Sequence, residues 1–397
     1  MLVLSGCETT PVAPPVVQAA PVQTIPWQVP PRAVAYDALP GWNRADLAPG
    51  LSALRRSCGV FSARAPDQLL SPKAPWAGTA SDWLPACAAL DVIADERSAR
   101  AVMQALFTPV EVAAPDGTSR FTGYFEPTFE ARLTPQAPFT EPVPAKPSDL
   151  ISTSGRVYQT LPNGQRRAYP IRADITRNGV TPLAYAHPAD VFFLQIQGSG
   201  RLILPDGRTL RAAYAAHNGQ PFKSTANWLI NKGWITRGEA SMTGIRAWMD
   251  RTSPARARQA MNANPRFVFF KLEPEGDPNL GPKGSLGVPL IPLGSMAVDN
   301  DYYPGGVPMF IQTAAPSLGG TWSGFLIAQD TGGAIKGPVR GDIFFGTGNA
   351  AGASADTVNA PGRLWVLLPR VLAERIRVSR GTSAEIATTI DLVTVAP

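Results

Sequence analysis

Histidine is almost missing from this chain: its 397 residues include two, His187 and His217. So few leave no visible Ser-His-Asp or Cys-His constellation, which removes that route to nucleophilic catalysis. Cysteine is scarce as well. Three occur, and they show no zinc-ligand spacing with the distant histidines, so no metal is expected. Charged residues make up only 17%. The net charge of +6 and a pI of about 9.4 favour an anionic partner. No Lys/Arg run of five or more and no nucleic-acid motif accompanies that charge, so no nucleic acid is expected as partner. A polyanionic glycan fits equally well, and charge alone describes no more than a mildly basic protein. No run of 18 apolar residues occurs, so no membrane-spanning helix is expected.

Apolar residues, at 44%, are plentiful enough for real cores, and the length suits two or three compact domains. The 41 Pro and 36 Gly point to many turns and short strands. Residues 36 to about 118 alternate loops with short helices. The clearest runs from Asp95 to Leu106, with an acidic start and apolar spacing near 3.6. From Phe121 to Tyr214 the pattern turns to strands. Val191–Gln197 and Arg201–Leu204 read as two of them, and Pro162-Asn-Gly164 and Pro205-Asp-Gly207 read as turns. Residues 225–262 return to helix, and strands follow from Phe267 to Trp365.

Ala328–Gly346 is the most informative stretch. It sets Asp330 and Asp342 on either side of a Gly/Lys/Pro turn region, between strand-like Gly324–Ala328 and Asp342–Phe345. A hairpin there brings both acids to neighbouring strands. Ile343, Phe344 and Phe345 beside Asp342 favour a raised carboxyl pKa, because desolvation disfavours the charged form. An acid protonated near neutral pH is what glycosidic cleavage requires. A hairpin with two solvated aspartates is the other reading of the same residues.

The N-terminus suggests a compartment. Leu4-Ser-Gly-Cys7 matches a bacterial lipobox, with Cys7 as the lipidated residue and residues 1–7 as a signal remnant. Only Met1 to Val3 precede the match, which is short for a signal peptide. A late start codon and a chance match are both open. Residues 8–35 are rich in Pro, Val, Ala and Gln and read as a semi-rigid tether of roughly 3 Å per residue. Position 8 is Glu, not Asp, so the common inner-membrane retention signal is absent. The expectation is an outer-membrane lipoprotein facing the periplasm. Cys58 and Cys87 then form an even pair in an oxidising compartment, which favours a disulfide over two buried thiols.

Several segments carry a family resemblance. Ala328–Gly346 resembles the C-terminal 3D domain, named for three aspartates, of the MltA-type lytic murein transglycosylases. Phe121-Thr-Gly-Tyr-Phe-Glu-Pro127 resembles that family's Thr-Gly-Tyr-aromatic-x-Pro motif. Val191-Phe-Phe-Leu-Gln-Ile-Gln-Gly-Ser-Gly-Arg201 resembles its Gln-x-Gln-Gly-Ser-Gly segment. Leu286–Leu290 and Ser295–Asp299 resemble the start of the 3D domain, and Pro361–Val366 its end. The resemblance implies a mainly β fold with helical decoration. A double-psi β-barrel, the 3D domain, is expected at 276–370 and a second, inserted β-barrel at 122–275. A helical part at 36–121 would pack with the 3D domain, and residues 371–397 form a C-terminal segment.

The implied activity is cleavage of the β-1,4 bond between N-acetylmuramic acid and N-acetylglucosamine, leaving 1,6-anhydro ends and using no cofactor. Asp342 is implied as acid and then base, with Asp330 supporting it by hydrogen bonding and charge. Thr122, Tyr124, Gln197, Ser199 and Lys336 are implied groove contacts. Lys336 is either a stabiliser of charge near Asp342 or a solvated turn lysine. Gln195 and Gln197, two apart, would share one face of a strand. Asp299 reads as structural. Trp322 and Trp365 read as core before sugar platforms. The implied partners are peptidoglycan glycan strands, the outer membrane through the anchor, and a cell-wall synthesis complex. Asn349-Ala350-Ala351 departs from the family, which commonly has an acidic residue there. A peptidoglycan-binding lipoprotein without activity and a two-carboxylate murein hydrolase are the competing readings.

Overall fold

A computed structural model of the chain describes residues 32–90, 93, 95–153 and 155–375. Cys7, most of the Pro-rich stretch and all but the first residues of the C-terminal segment lie outside the described residues.

The N-terminal part runs β1 (Arg32–Ala33), α1 (Ala48–Ser62), α2 (Ala80–Ala89), α3 (Glu96–Leu106), β2 (Phe107–Val112) and β3 (Arg120–Glu126). The middle part runs β4 (Thr128–Arg132), β5 (Glu141–Pro144), β6 (Leu150–Thr153), β7 (Arg156–Thr160), β8 (Arg166–Ala168), α4 (Arg172–Asn178), β9 (Pro182–Ala186), α5 (Pro188–Gln197), β10 (Gly200–Ile203), β11 (Thr209–His217), α6 (Thr225–Asn231), α7 (Met242–Arg251), α8 (Pro254–Asn262) and β12 (Val268–Pro274). The last part runs β13 (Ser295–Val298), β14 (Pro308–Ala315), β15 (Gly320–Asp330), β16 (Arg340–Thr347), α9 (Gly348–Ala355), β17 (Asn359–Ala360) and β18 (Gly362–Pro369).

Among the described residues these strands form one nine-stranded sheet, β1-β2-β18-β14-β15-β13-β16-β3-β17, and a second of six, β12-β11-β10-β4-β9-β5. A small sheet, β6-β7-β8, stands apart. The chain changes sheets at Pro127. β3 pairs in parallel with β16, so an insert counted from residue 122 would take in a strand of the large sheet. Each large sheet has its own core. Trp42, Phe61, Phe310, Phe325 and Trp365 fill the first, and Phe192, Leu194, Leu202 and Phe270 the second. Trp365 is fully buried, and Trp322 packs at the edge of the same core.

Local chemistry explains the helices that frame the site. Asp95 caps α3 by accepting from the Ser98 N–H at 2.7 Å. The helix α1 lies directly on β15, because Gly50 has no side chain: a Cβ there would sit 2.3 Å from the Phe325 carbonyl oxygen. The buried Gln329 ties the same pair together. Its Nε2 donates to the Ala53 carbonyl at 2.7 Å and to Ser57 Oγ at 2.9 Å. Cys58 on α1 and Cys87 on α2 are joined by a disulfide, with Cα atoms 5.6 Å apart. No helix among the described residues is long and apolar enough to cross a membrane.

Two expectations are corrected. Val191–Gln197 is not a strand but the body of α5. Pro188 at its first turn and Gly198 in the left-handed region (φ 87°) after its last residue start and stop a helix, and its apolar run Val191–Leu194 is buried on all sides. Asp330 and Asp342 are not on a hairpin. β13 lies between their strands, parallel to β15 and antiparallel to β16.

Candidate active site

The interposed strand is what brings the acids together. Ala297 of β13 is in register with Asp330 on one side and with Asp342 on the other. β13 is buried along its whole length, as a strand covered on both faces must be. β3 then adds Thr122 opposite Asp342. Gly123 is required there, because a Cβ would lie 2.7 Å from the Ala355 backbone of α9.

Asp342 accepts a hydrogen bond from Thr122 Oγ1. That hydroxyl in turn accepts from Arg340 Nη2 at 2.9 Å. Burial pushes the Asp342 carboxyl up. The Thr122 bond and the Arg340 charge oppose the shift, and the neighbouring Asp330 adds to it. Asp330 is raised by burial as well, against hydrogen bonds from Thr331, Tyr124 and Ser285. Its Oδ2 accepts from the Tyr124 hydroxyl at 2.9 Å and its Oδ1 from the Ser285 N–H at 3.0 Å. The two acids are therefore coupled through charge. Each spends its described hydrogen bonds on other groups.

Asp299, 3% exposed, directs its carboxylate to the loop between β15 and β16. It accepts from the Gly337 N–H at 2.9 Å and from Lys336 Nζ at 3.0 Å. Lys336 is thus placed on Asp299 and Asp301, and the cation beside Asp342 is Arg340. Nothing marked Arg340 in the sequence except its position two residues before Asp342. Ser285 had no signal, because its backbone serves and not its side chain.

A cleft of 690 Å³ opens over the acids. Tyr124, Asp330 and Asp342 lie on one side, and Gln197 and Ser199 from the end of α5 on the other. Thr122 and Lys336 are not among its lining. Gln195 turns inward, where its Oε1 accepts from the buried Arg172 and its Nε2 donates to the Val268 carbonyl at 3.0 Å. At the junction of the sheets Glu126 is fully buried. It accepts from Arg201 Nε at 3.0 Å, from Arg211 Nε at 2.7 Å and from Thr347 Oγ1 at 3.1 Å. These bonds fix the two walls of the cleft relative to each other.

A groove between two β units, with a coupled and desolvated carboxyl pair at its floor, has the layout of a carboxyl acid–base site for an extended substrate. Comparison with known proteins gives the class a family. Residues 120–271 match the MltA specific insert domain and residues 294–368 the 3D domain. The chain is 34% identical over 260 residues to membrane-bound lytic murein transglycosylase A of Vibrio cholerae, an alignment spanning 63% of this chain and 66% of that protein's length. The solved structure of the lytic transglycosylase LtgG of Burkholderia pseudomallei is 36% identical, with a TM-score of 0.56 over 86% of this chain and 95% of that one. The Escherichia coli MltA structure with bound chitohexaose is 26% identical, with a TM-score of 0.61 over 85% and 91%. The chain belongs to the MltA-type lytic murein transglycosylase family. Its fold is accordingly mainly β with helical decoration, and it carries a 3D domain.

Proposed function

We propose that the protein cleaves the glycan strands of peptidoglycan between N-acetylmuramic acid and N-acetylglucosamine, with Asp342 as the single acid and base. The observation that carries this reading is the state of Asp342. It lines a cleft of 690 Å³, and burial together with Asp330 shifts it toward the protonated form. In the first step its proton goes to the leaving glycosidic oxygen as the C1–O bond breaks. In the second, the carboxylate takes the proton of the muramoyl C6 hydroxyl while that oxygen closes on C1, giving the 1,6-anhydro ring. No water enters and the carboxyl ends as it began. The nucleophile belongs to the substrate, so proximity within a held sugar replaces the second catalytic carboxylate of a hydrolase.

Asp330 serves as the positioning and charge-coupling partner, fixed by Tyr124 and Ser285. Thr122 and Arg340 orient the Asp342 carboxyl, Gln197 and Ser199 contact the glycan from the opposite wall, and Asp299 holds the loop between the two acid-bearing strands. The same proposal extends to the outer membrane, reached through lipid on Cys7, to a cell-wall synthesis complex, and to the domain limits expected from the sequence, with the insert begun after β3. The activity of its lytic transglycosylase relatives supports the reading, as does the chitohexaose bound in one of them.

Mass spectrometry of sacculi digested by the full chain tests it. Anhydro-muramoyl products are expected. Products heavier by one water make the protein a hydrolase, and intact sacculi make it a binder.

A further inference from the structure

The cleft wall facing the carboxyl pair carries positive charge that no described carboxylate neutralises. Arg266, partly buried just before β12, lines the cleft and forms no ion pair among the described residues. The side-chain hydrogen bond it makes is a long one, 3.4 Å from Nη1 to the Gln220 carbonyl. Its neighbours do not balance it. Tyr214 is neutral, with a hydroxyl pKa raised by burial, and His217 is pushed down to about 4 by burial and by Arg266 itself.

Behind it lies Arg172, 4% exposed, with its guanidinium over the rings of Phe192 and Phe267. Arg172 donates only to neutral acceptors: the Asn264 carbonyl at 3.0 Å, the Arg266 carbonyl at 2.6 Å, and Gln195 Oε1. Burial lowers its pKa to about 9, which leaves it charged at neutral pH. Glu141, which acts on it from a distance, is held by Arg258. A desolvated cation without a counter-ion costs free energy, and an arriving anion recovers it. Arg172 borders a separate pocket of 160 Å³, which it shares with Glu141 and Arg258, and does not line the cleft, so Arg266 is the group that can meet an anion there. Beside it, Ile196 and Tyr214 leave apolar surface in the cleft, 36% and 45% exposed.

We propose that Arg266 is an anion subsite that binds a carboxylate carried on the muramoyl residues of the strand. The inference rests on the glycan reading above. A guanidinium grips a carboxylate through two parallel N–H bonds, a geometry that lysine cannot reproduce. Two sources share this chemistry: a carboxylate of the peptide stem, and the lactyl carboxylate freed where the stem has been removed.

The test uses the full chain with Asp342→Asn, so that strands are bound without being cut. Calorimetry compares this protein with the same chain carrying Arg266→Gln, against stem-bearing murein strands, amidase-stripped strands and neutral chitohexaose. The expected result is a loss of about tenfold or more in affinity, typical of a charge-assisted bond, for one of the acidic ligands and no change for chitohexaose. Whichever acidic ligand responds names the source of the carboxylate. Arg266→Lys should restore part of the loss. The Arg266 backbone bonds to Asn264 and Arg172 do not involve its side chain and the bond to the Gln220 carbonyl is long, so the melting temperature should fall by no more than about 2 °C. Equal weakening for all three ligands, or for none, overturns the subsite. If the parent binds none of the three, the glycan reading fails first and the subsite with it.

Discussion

Replacing Asp342 by Asn should make the protein slower and more stable at once. The amide keeps the shape of the carboxyl and an oxygen to accept from Thr122 Oγ1, but it cannot exchange the proton. Loss of general acid–base catalysis lowers turnover by at least about 10²-fold, or ~3 kcal/mol in the barrier. Stability moves the other way. In the unfolded chain Asp342 has its ordinary pKa, and in the folded chain burial and Asp330 raise it. The folded state then holds its proton to higher pH than the unfolded state does. Stability therefore falls as pH rises from the unfolded pKa through the folded one, and the parent carries that loss at neutral pH. A neutral amide does not. Urea unfolding should show Asp342→Asn above the parent at about pH 7, with the gap closing toward about pH 3, where both carboxyl forms are protonated. Anhydro-product release from sacculi measures the rate. Turnover within tenfold of the parent, or a variant less stable at neutral pH, refutes the assignment of a desolvated acid.

Asp330→Asn removes a charge that raises the Asp342 pKa, so the high-pH limb of the rate profile should move to lower pH with a smaller rate loss than Asp342→Asn gives. Arg340→Leu removes a charge that lowers the same pKa, and should move that limb the opposite way. Two shifts of one sign would rule out the charge coupling. Glu126→Gln leaves Arg201 and Arg211 without their shared buried carboxylate and should cost about 3–5 kcal/mol in urea unfolding. A loss under about 1 kcal/mol would show that Glu275 and the nearby carbonyls suffice. Reducing the Cys58–Cys87 disulfide, which spans 29 residues, should cost about 3–4 kcal/mol on the loop-entropy argument, read from the same denaturant curves with and without reductant.

The parts of this molecule that were legible in the sequence are those set by local chemistry. Asp95 before an amphipathic run announces α3, and Pro205-Asp-Gly207 announces the turn between β10 and β11. The segment Val191–Gln197 misled because its apolar run Val191–Leu194, buried on all sides, has no period to separate helix from strand. Pro188 and Gly198, the start and stop signals, were the features that decided it. The contacts of the acids were illegible for a different reason. Arg340 is two residues from Asp342 in the chain, yet its relevant bond is to Thr122, 218 residues away. Ser285 acts through its backbone N–H, which every residue other than proline possesses.

The acids themselves were visible, but the way they meet was not. A hairpin would place Asp330 and Asp342 on adjacent strands, with the Gly-rich loop as a simple turn. With β13 between them, that loop must cross over the end of β13, and its path is not set by strand pairing. Asp299 follows β13 at that end. It holds the crossing by accepting from Gly337 and Lys336. This gives a physical reason for three aspartates in a site whose cleft is lined by two. A hairpin would need no such staple, because its turn is closed by the ladder itself. The third carboxylate is a consequence of the interposed strand, and the interposed strand is what sets Asp330 and Asp342 opposite one residue, Ala297.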